Sequence, residues 1–167
     1  NHVSPILMKN YILGSLLFFS IIQCQSQTIA KMSDFKPEIV KDEAQWLNEL
    51  GPERFRILRQ KGTEYPGTGE FDQHVKRGIY SCSGCGTELF ESSSKFDAHC
   101  GWPSFDKEVR EGAITEIRDI SGGMVRTEIL CTKCGGHLGH VFDDGPTETK
   151  LRYCVNSLSL SFDPEEK

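Results

Sequence analysis

The stretch RYCVNSLSLSF, residues 152–162, joins a cation, a thiol and an amide in one short run. Read as extended chain, Arg152, Cys154 and Asn156 share a face with Leu158, Leu160 and Phe162. A cation two residues from a cysteine on the same face favours the thiolate, which is the nucleophilic form. At a pKa of about 8.5 only ~3% of a thiol is ionised at neutral pH; a fall to about 6 makes most of it thiolate. The face therefore reads as core at its Leu158 end and as chemistry at its Cys154 end. The competing reading of a free cysteine is a small buried apolar side chain.

Seven cysteines are present, too many to be incidental, and the odd number leaves one without a pair. Cys82-Ser-Gly-Cys85-Gly and Cys131-Thr-Lys-Cys134-Gly share one form. Two matched C-x-x-C knuckles supply four soft thiolates at the spacing that tetrahedral zinc takes, and the glycine after each lets the backbone turn around the second sulfur. This predicts a structural zinc site at Cys82, Cys85, Cys131 and Cys134. Two disulfides or a dithiol redox pair would use the same residues, but no strand-helix context of thioredoxin type surrounds either knuckle. Of the remaining cysteines, Cys24 lies near the N-terminus and Cys100 in AHCGWPSF. There Gly101, Pro103 and Ser104 predict an exposed loop that carries the large ring of Trp102.

GGHLGHVFDDGP adds His137, His140 and Asp144. Both histidines can move protons near neutral pH. They also extend the second knuckle to C-x-x-C-x-x-H-x-x-H, so a mixed zinc cluster is a rival reading, as is an uninvolved surface pair. The surrounding glycines predict an exposed loop where polar side chains converge.

The elements that position these groups are short. A chain of 167 residues with 37% hydrophobic and 26% charged content suits one globular domain with a core. Net charge is −5 with scattered lysine and arginine, poor equipment for gripping nucleic acid. Residues 37–60 read as helical: Trp46, Leu47 and Leu50 form an apolar side, and Gly51-Pro52 ends one helix and opens the next. From Gly78 on, GIYSC, TELFES, AITEIRDI, MVRTEILC and LRYCVNSLSLSF read as strands separated by turn residues. In MVRTEILC, Val125, Thr127 and Ile129 face away from Met124, Arg126 and Glu128, which suits an antiparallel sheet with one wet side. Ahead of the domain, expected over residues 31–167, Lys9 and the apolar run 11–22 resemble a secretory signal and are too short to span a bilayer, which takes roughly 20 residues. Cleavage after Ala30 or lipidation at Cys24 would complete export of a segment expected over residues 1–30; without a working signal the chain stays cytoplasmic.

GTEYPGTGEF, CGWPSF, GGHLGHVFDDGP and RYCVNSLSL, together with both knuckles, resemble the B-type methionine-R-sulfoxide reductases. The resemblance covers about residues 43–163, in order. It implies a mainly β fold of two packed antiparallel sheets, with short helices at the N-terminal side and a structural zinc. It implies reduction of the R epimer of methionine sulfoxide, free or in oxidised proteins and peptides; a monomer and a thioredoxin-like reductant are the further expectations. Cys154 then matches the attacking cysteine, Cys100 the resolving one, and Trp102 the ring that holds the substrate's methyl. His137, His140 and Asn156 match the polar groups around the sulfoxide, with Arg152 and Asp144 supporting them. Attack by a thiolate on sulfur leaves a sulfenic acid, which a second thiol traps as a disulfide. The rival readings are a non-catalytic zinc-ribbon binding module and a general thiol-disulfide exchanger.

Overall fold

Asp42 opens the first element. Its carboxylate accepts from the Gln45 backbone N–H at 2.8 Å while the Gln45 side chain accepts from the Asp42 N–H at 3.0 Å, a capping box that satisfies two orphan donors. The computed structural model describes residues 35–166, so the export segment expected over residues 1–30, with Lys9, Cys24 and Ala30, lies outside the described residues. Helix α1 runs Glu43–Leu58 and is broken at Gly51, whose φ of 69° is non-helical, so that Pro52 opens a second helical stretch as its missing N–H predicts. The helix starts six residues later than the expected 37, because the chain before Asp42 is extended and Ile39 N–H bonds the Lys133 carbonyl at 2.9 Å. Trp46 is buried, but Leu47 is 44% exposed and belongs to the outer side. Arg59 and Lys41 stand over the Trp46 ring, and Arg59 reaches on to the Cys134 carbonyl at 3.0 Å.

Among the described residues nine strands follow: β1 (Gly78–Cys82), β2 (Glu88–Glu91), β3 (Lys95–Phe96), β4 (Ser104–Phe105), β5 (Ile114–Asp119), β6 (Arg126–Cys131), β7 (His137–Phe142), β8 (Arg152–Val155) and β9 (Leu160–Pro164). They form two antiparallel sheets, one ordered β2-β1-β9 and the other β3-β4-β8-β7-β6-β5. The expected mainly β architecture of two antiparallel sheets with N-terminal helix is what the chain adopts. Aromatic rings join the sheets: Phe105 of β4 stacks on Phe90 of β2 at 4.2 Å and meets the edge of Tyr80 of β1 at 5.1 Å. Such pairs add to the burial of Leu89, Ile129, Leu138, Val155 and Leu160 in the same core.

Residues 152–162 do not form one strand. A 3-10 turn at Ser157–Ser159 separates β8 from β9 and carries the chain from the larger sheet to the smaller. The turn resets the alternation. In β8 the core side is Tyr153 and Val155, opposite to Cys154, whereas in β9 Leu160 is core. Ser157 and Ser159 are buried in the turn because their hydroxyls are satisfied, by Phe71 N–H at 3.1 Å and by the His137 carbonyl at 2.9 Å. Two further expectations change. The His137–Phe142 part of GGHLGHVF is strand β7 and not an exposed loop, and Glu128, on the charged face of a stretch expected to have one wet side, is buried at 2% exposure.

Candidate active site

Register brings the polar groups together. Cross-strand partners share a sheet face, and Glu128 pairs with His140, which pairs with Cys154, which pairs with Ser104. The same face carries the partners Asp119 and Arg126 at the end of β5–β6 and Phe142 and Arg152 in β7–β8. Gly139 makes the close approach of β7 to β8 possible, since a Cβ there would collide with the Cys154 carbonyl oxygen. The result is a cleft of about 120 Å³ lined by Thr63, Trp102, Arg126, both histidines and Cys154, with Phe142, Val155 and Asn156 completing it. Cavities of ~150 Å³ admit a molecule the size of benzene, so the cleft suits one small side-chain end.

Cys154 and Cys100 are both free thiols, with Sγ atoms 3.9 Å apart. Cys100 Sγ also lies 3.5 Å from Ser104 Oγ, the neighbour of Cys154 across β4–β8. The loop that carries Cys100 is half-buried and not exposed. Gly67 N–H bonds the Gly101 carbonyl at 2.7 Å, and the Trp102 indole N–H bonds the Glu64 carbonyl at 3.2 Å. Gly101 has φ 89°, and its backbone lies so near Pro66 that a Cβ would come within 2.7 Å of the proline ring.

Arg152 faces Cys154, but the expected lowering of the thiol pKa is not found. Burial, then the charge and hydrogen bond of Cys100, push Cys154 up to about 12, against the pull of Arg152. The reason is visible in the guanidinium's partners. Arg152 donates from Nε and a terminal nitrogen to both Asp144 oxygens at 2.7 and 2.8 Å and lies over the Phe142 ring. Its charge is largely committed to Asp144, whose carboxyl that bidentate bond holds below the ordinary range. In the substrate-free protein the Cys154 thiol therefore carries its proton.

Each histidine has a carboxylate partner that the sequence reading missed. His137 Nδ1 lies 2.8 Å from Glu128 Oε1, and His140 Nε2 lies 2.9 Å from Asp119 Oδ2. A carboxylate only accepts, so the bonded nitrogen carries the hydrogen in both rings. Arg126 shares Asp119 at 2.8 Å, and Lys61 shares Glu128 at 2.7 Å. Hydrogen bonds led by Ser121 hold Asp119 well below the ordinary carboxylate range. Burial lowers His140 despite Asp119, so this ring is neutral near pH 7. Burial alone would raise Glu128, but the bonds from His137 and Lys61 outweigh it and hold the group ionised. The only advance signal of these acids was their position two to four residues from other polar groups in short strands.

Asn156 lines the cleft, but its amide is bound to backbone. Nδ2 donates to the Leu138 carbonyl at 3.1 Å and Oδ1 accepts from Glu64 N–H at 3.0 Å. Glu64 thus links two walls, since its N–H holds Asn156 and its carbonyl holds Trp102. Burial raises the Glu64 carboxyl even as it accepts from Leu158 N–H at 3.2 Å.

Cys82, Cys85, Cys131 and Cys134 place their sulfurs within 4.8 Å of one another, so the four residues could hold a metal ion. Cys82–Cys134 and Cys85–Cys131 are 3.7 and 3.6 Å apart. Tetrahedral zinc at Zn–S of about 2.3 Å needs sulfurs ~3.8 Å apart, so the donor set and the spacing both fit. Gly86 and Gly135, with φ of 72° and 70°, turn the backbone so that their N–H groups reach the Cys82 and Cys131 carbonyls at 2.8 Å. Cys82 ends β1 and Cys131 ends β6, so an ion there would fasten one sheet to the other.

Two adjacent thiols beside proton-moving rings in a small cleft, with a separate four-cysteine cluster, define a thiol-based oxidoreductase domain. Residues 50–164 match the SelR domain family. The chain is 51% identical over 136 residues to "Peptide methionine sulfoxide reductase MsrB" of Bradyrhizobium diazoefficiens, covering 81% of this chain and 98% of that protein. It is 53% identical over 134 residues to the protein of the same name from Agrobacterium fabrum, covering 80% and 99%. Against that of Acinetobacter baylyi it is 57% identical over 127 residues, covering 76% and 91%. The chain belongs to this family, the B-type peptide methionine sulfoxide reductases.

Proposed function

We propose that Cys154 reduces the R epimer of methionine sulfoxide in oxidised proteins and peptides, and that Cys100 resolves the product. The observation that carries this reading is the 3.9 Å pair of thiols, one of them on the cleft floor beside both histidines. The Trp102 ring receives the substrate's methyl group while proton donors face its oxygen, and this fixes which side of the sulfur meets Cys154. As the Cys154 sulfur bonds the sulfoxide sulfur, the oxygen gains a proton by way of a histidine. The substrate S–O bond then breaks and oxygen passes to Cys154. Substrate sulfur is reduced by two electrons and Cys154 is oxidised to a sulfenic acid whose proton is the one given to the oxygen, while the proton released by the thiol restores the histidine. The Cys100 thiol then displaces water, and a thioredoxin-like dithiol reduces the disulfide. Arg152 and Asp144 steady the charge beside Cys154.

Zinc is the ion assigned to Cys82, Cys85, Cys131 and Cys134, on their all-sulfur donor set. It would hold the hairpins together and takes no part in the reaction. Export rests on Lys9 and the apolar run 11–22, and N-terminal sequencing of the mature protein tests it.

Mass spectrometry of a methionine-sulfoxide peptide, incubated with the protein and dithiothreitol, tests the chemistry. Loss of one oxygen from one epimer supports it; no loss from either would leave the binding-module reading.

A further inference from the structure

Ser104 is a polar residue in a fully buried place. It is 0% exposed and pairs with Phe96 of β3 on one side and with Cys154 of β8 on the other. A hydroxyl taken out of water costs free energy unless it is bonded. Here the bond is a long one: Ser104 Oγ donates to the Trp102 carbonyl at 3.2 Å, against about 2.7–2.8 Å for an ordinary O–H···O bond. Its other neighbour is the Cys100 sulfur at 3.5 Å. The hydroxyl is therefore buried, loosely held, and able to turn towards that sulfur.

Among the described residues the Cys100 sulfur has three partners: the Trp102 carbonyl oxygen at 3.5 Å, the Ser104 hydroxyl at 3.5 Å and the Cys154 sulfur at 3.9 Å. The two oxygens suit different states of that sulfur. A thiol donates, and the carbonyl can accept from it. A thiolate only accepts, as the carbonyl does, so the carbonyl has nothing to offer it. Ser104 alone of the two can reverse its role and give its hydrogen to the thiolate, and such charge-assisted bonds are about twice as strong as neutral ones. The Arg152 guanidinium, which faces Cys154, is held on both oxygens of Asp144. Cross-strand partners share a sheet face, so Ser104 also lies on the side from which Cys154 is reached.

We propose that Ser104 is a catalytic residue of the resolving step, its hydroxyl donating to the Cys100 sulfur as that atom takes on negative charge and attacks the Cys154 sulfenic acid. This rests on the reading of the thiol pair given above. The Cys100 thiol loses its proton, its sulfur bonds the Cys154 sulfur, and the S–O bond of the sulfenic acid breaks. The oxygen leaves with that proton as water. The Cys100 sulfur loses one electron and the Cys154 sulfur gains one, so no outside oxidant is consumed. Ser104 keeps its own hydrogen throughout. Pairing on both sides of β4 fixes Ser104, whereas Cys100 sits on a loop and must approach Cys154, so the hydroxyl is a stationary point from which to hold the moving sulfur.

Ser104→Ala removes the donor and leaves the strand its Cβ. The full chain, without reductant, is mixed with a methionine-sulfoxide peptide and quenched at successive times into dimedone, which traps sulfenic acids. Mass spectrometry then counts methionine formed and Cys154 trapped. A hydrogen bond to an ionised group is worth roughly 10- to 100-fold in a rate. The sulfenic acid of Ser104→Ala should persist longer than that of the wild type by that factor, while methionine forms at close to the wild-type rate. Ser104→Thr, which keeps a hydroxyl, should bring the lifetime back towards the wild-type value. A purely structural hydroxyl would slow both steps together or neither. Either of those results, or a sulfenic acid as long-lived in Ser104→Thr as in Ser104→Ala, would overturn the proposal. Should Ser104→Ala not fold, Ser104→Gly removes the same donor and is read in the same way. A wild type that forms methionine but no Cys100–Cys154 link overturns instead the thiol-pair reading, and the proposal with it.

Discussion

Cys100 Sγ stands 3.9 Å from Cys154 Sγ although 54 residues separate them in the chain. A disulfide needs about 2.05 Å, so the sulfurs must close by roughly 2 Å on oxidation. The pairing of Ser104 with Cys154 fixes the end of the Cys100 loop, and the bond from Gly67 to Gly101 steadies its middle. Cys100→Ser should therefore still reduce one equivalent of substrate and then stop at the sulfenic acid when thioredoxin is the donor. Mass spectrometry of the oxidised wild type should find the Cys100–Cys154 link. Undiminished thioredoxin-driven turnover in the variant would move the resolving role to another thiol.

The committed charge of Arg152 gives a second expectation. With burial pushing Cys154 up to about 12, alkylation of the substrate-free protein should have its midpoint above the ordinary thiol value of about 8.5. Asp144→Asn removes the anion that occupies Arg152, and the freed guanidinium favours the thiolate. Alkylation at pH 8 should then be several-fold faster than in the wild type. A slower reaction would show that Asp144 matters by aiming Arg152 and not by balancing its charge.

The four-cysteine cluster is testable without activity. Cys85 is its least buried member, yet structural zinc contributes on the order of 10 kcal/mol to small sites. Cys85→Ser should lose metal and most of its folded population, read by elemental analysis and circular dichroism. Freshly purified, reduced wild type without zinc would end the assignment.

What could be read from the chain depended on whether the chemistry was local. The knuckles were legible because both ligands and the turning glycine sit within five residues. Cys154 and Trp102 were legible through motif resemblance, and β1 as GIYSC was bounded correctly. Alternation could not show the crossing at Ser157–Ser159, because NSLSLSF keeps its period while the backbone changes sheets. Glu128 looked solvated because an acid in a polar-apolar strand usually is. Its partners, His137 and Lys61, lie 9 and 67 residues away, and only the β6–β7 register and the end of α1 bring them in. The histidines were placed in a loop because Gly139 was read as a breaker, whereas its missing side chain is what lets β7 lie against β8.

That missing side chain supports the last prediction. Gly139 pairs with Val155, and a Cβ would strike the Cys154 carbonyl oxygen and come within 3.1 Å of the Cys154 carbonyl carbon. These are backbone atoms, which cannot swing aside as a side-chain end would. Gly139→Ala should cost about 1–3 kcal/mol, the usual range for forced overpacking. The strands must part at the point where His140 and Cys154 are direct partners. Single-turnover reduction should therefore fall far more than the folded fraction does at the assay temperature. Thermal denaturation and methionine formation, measured on the same preparation, separate the two effects. A variant of near wild-type stability and rate would show that β7 and β8 can shift without disturbing the site.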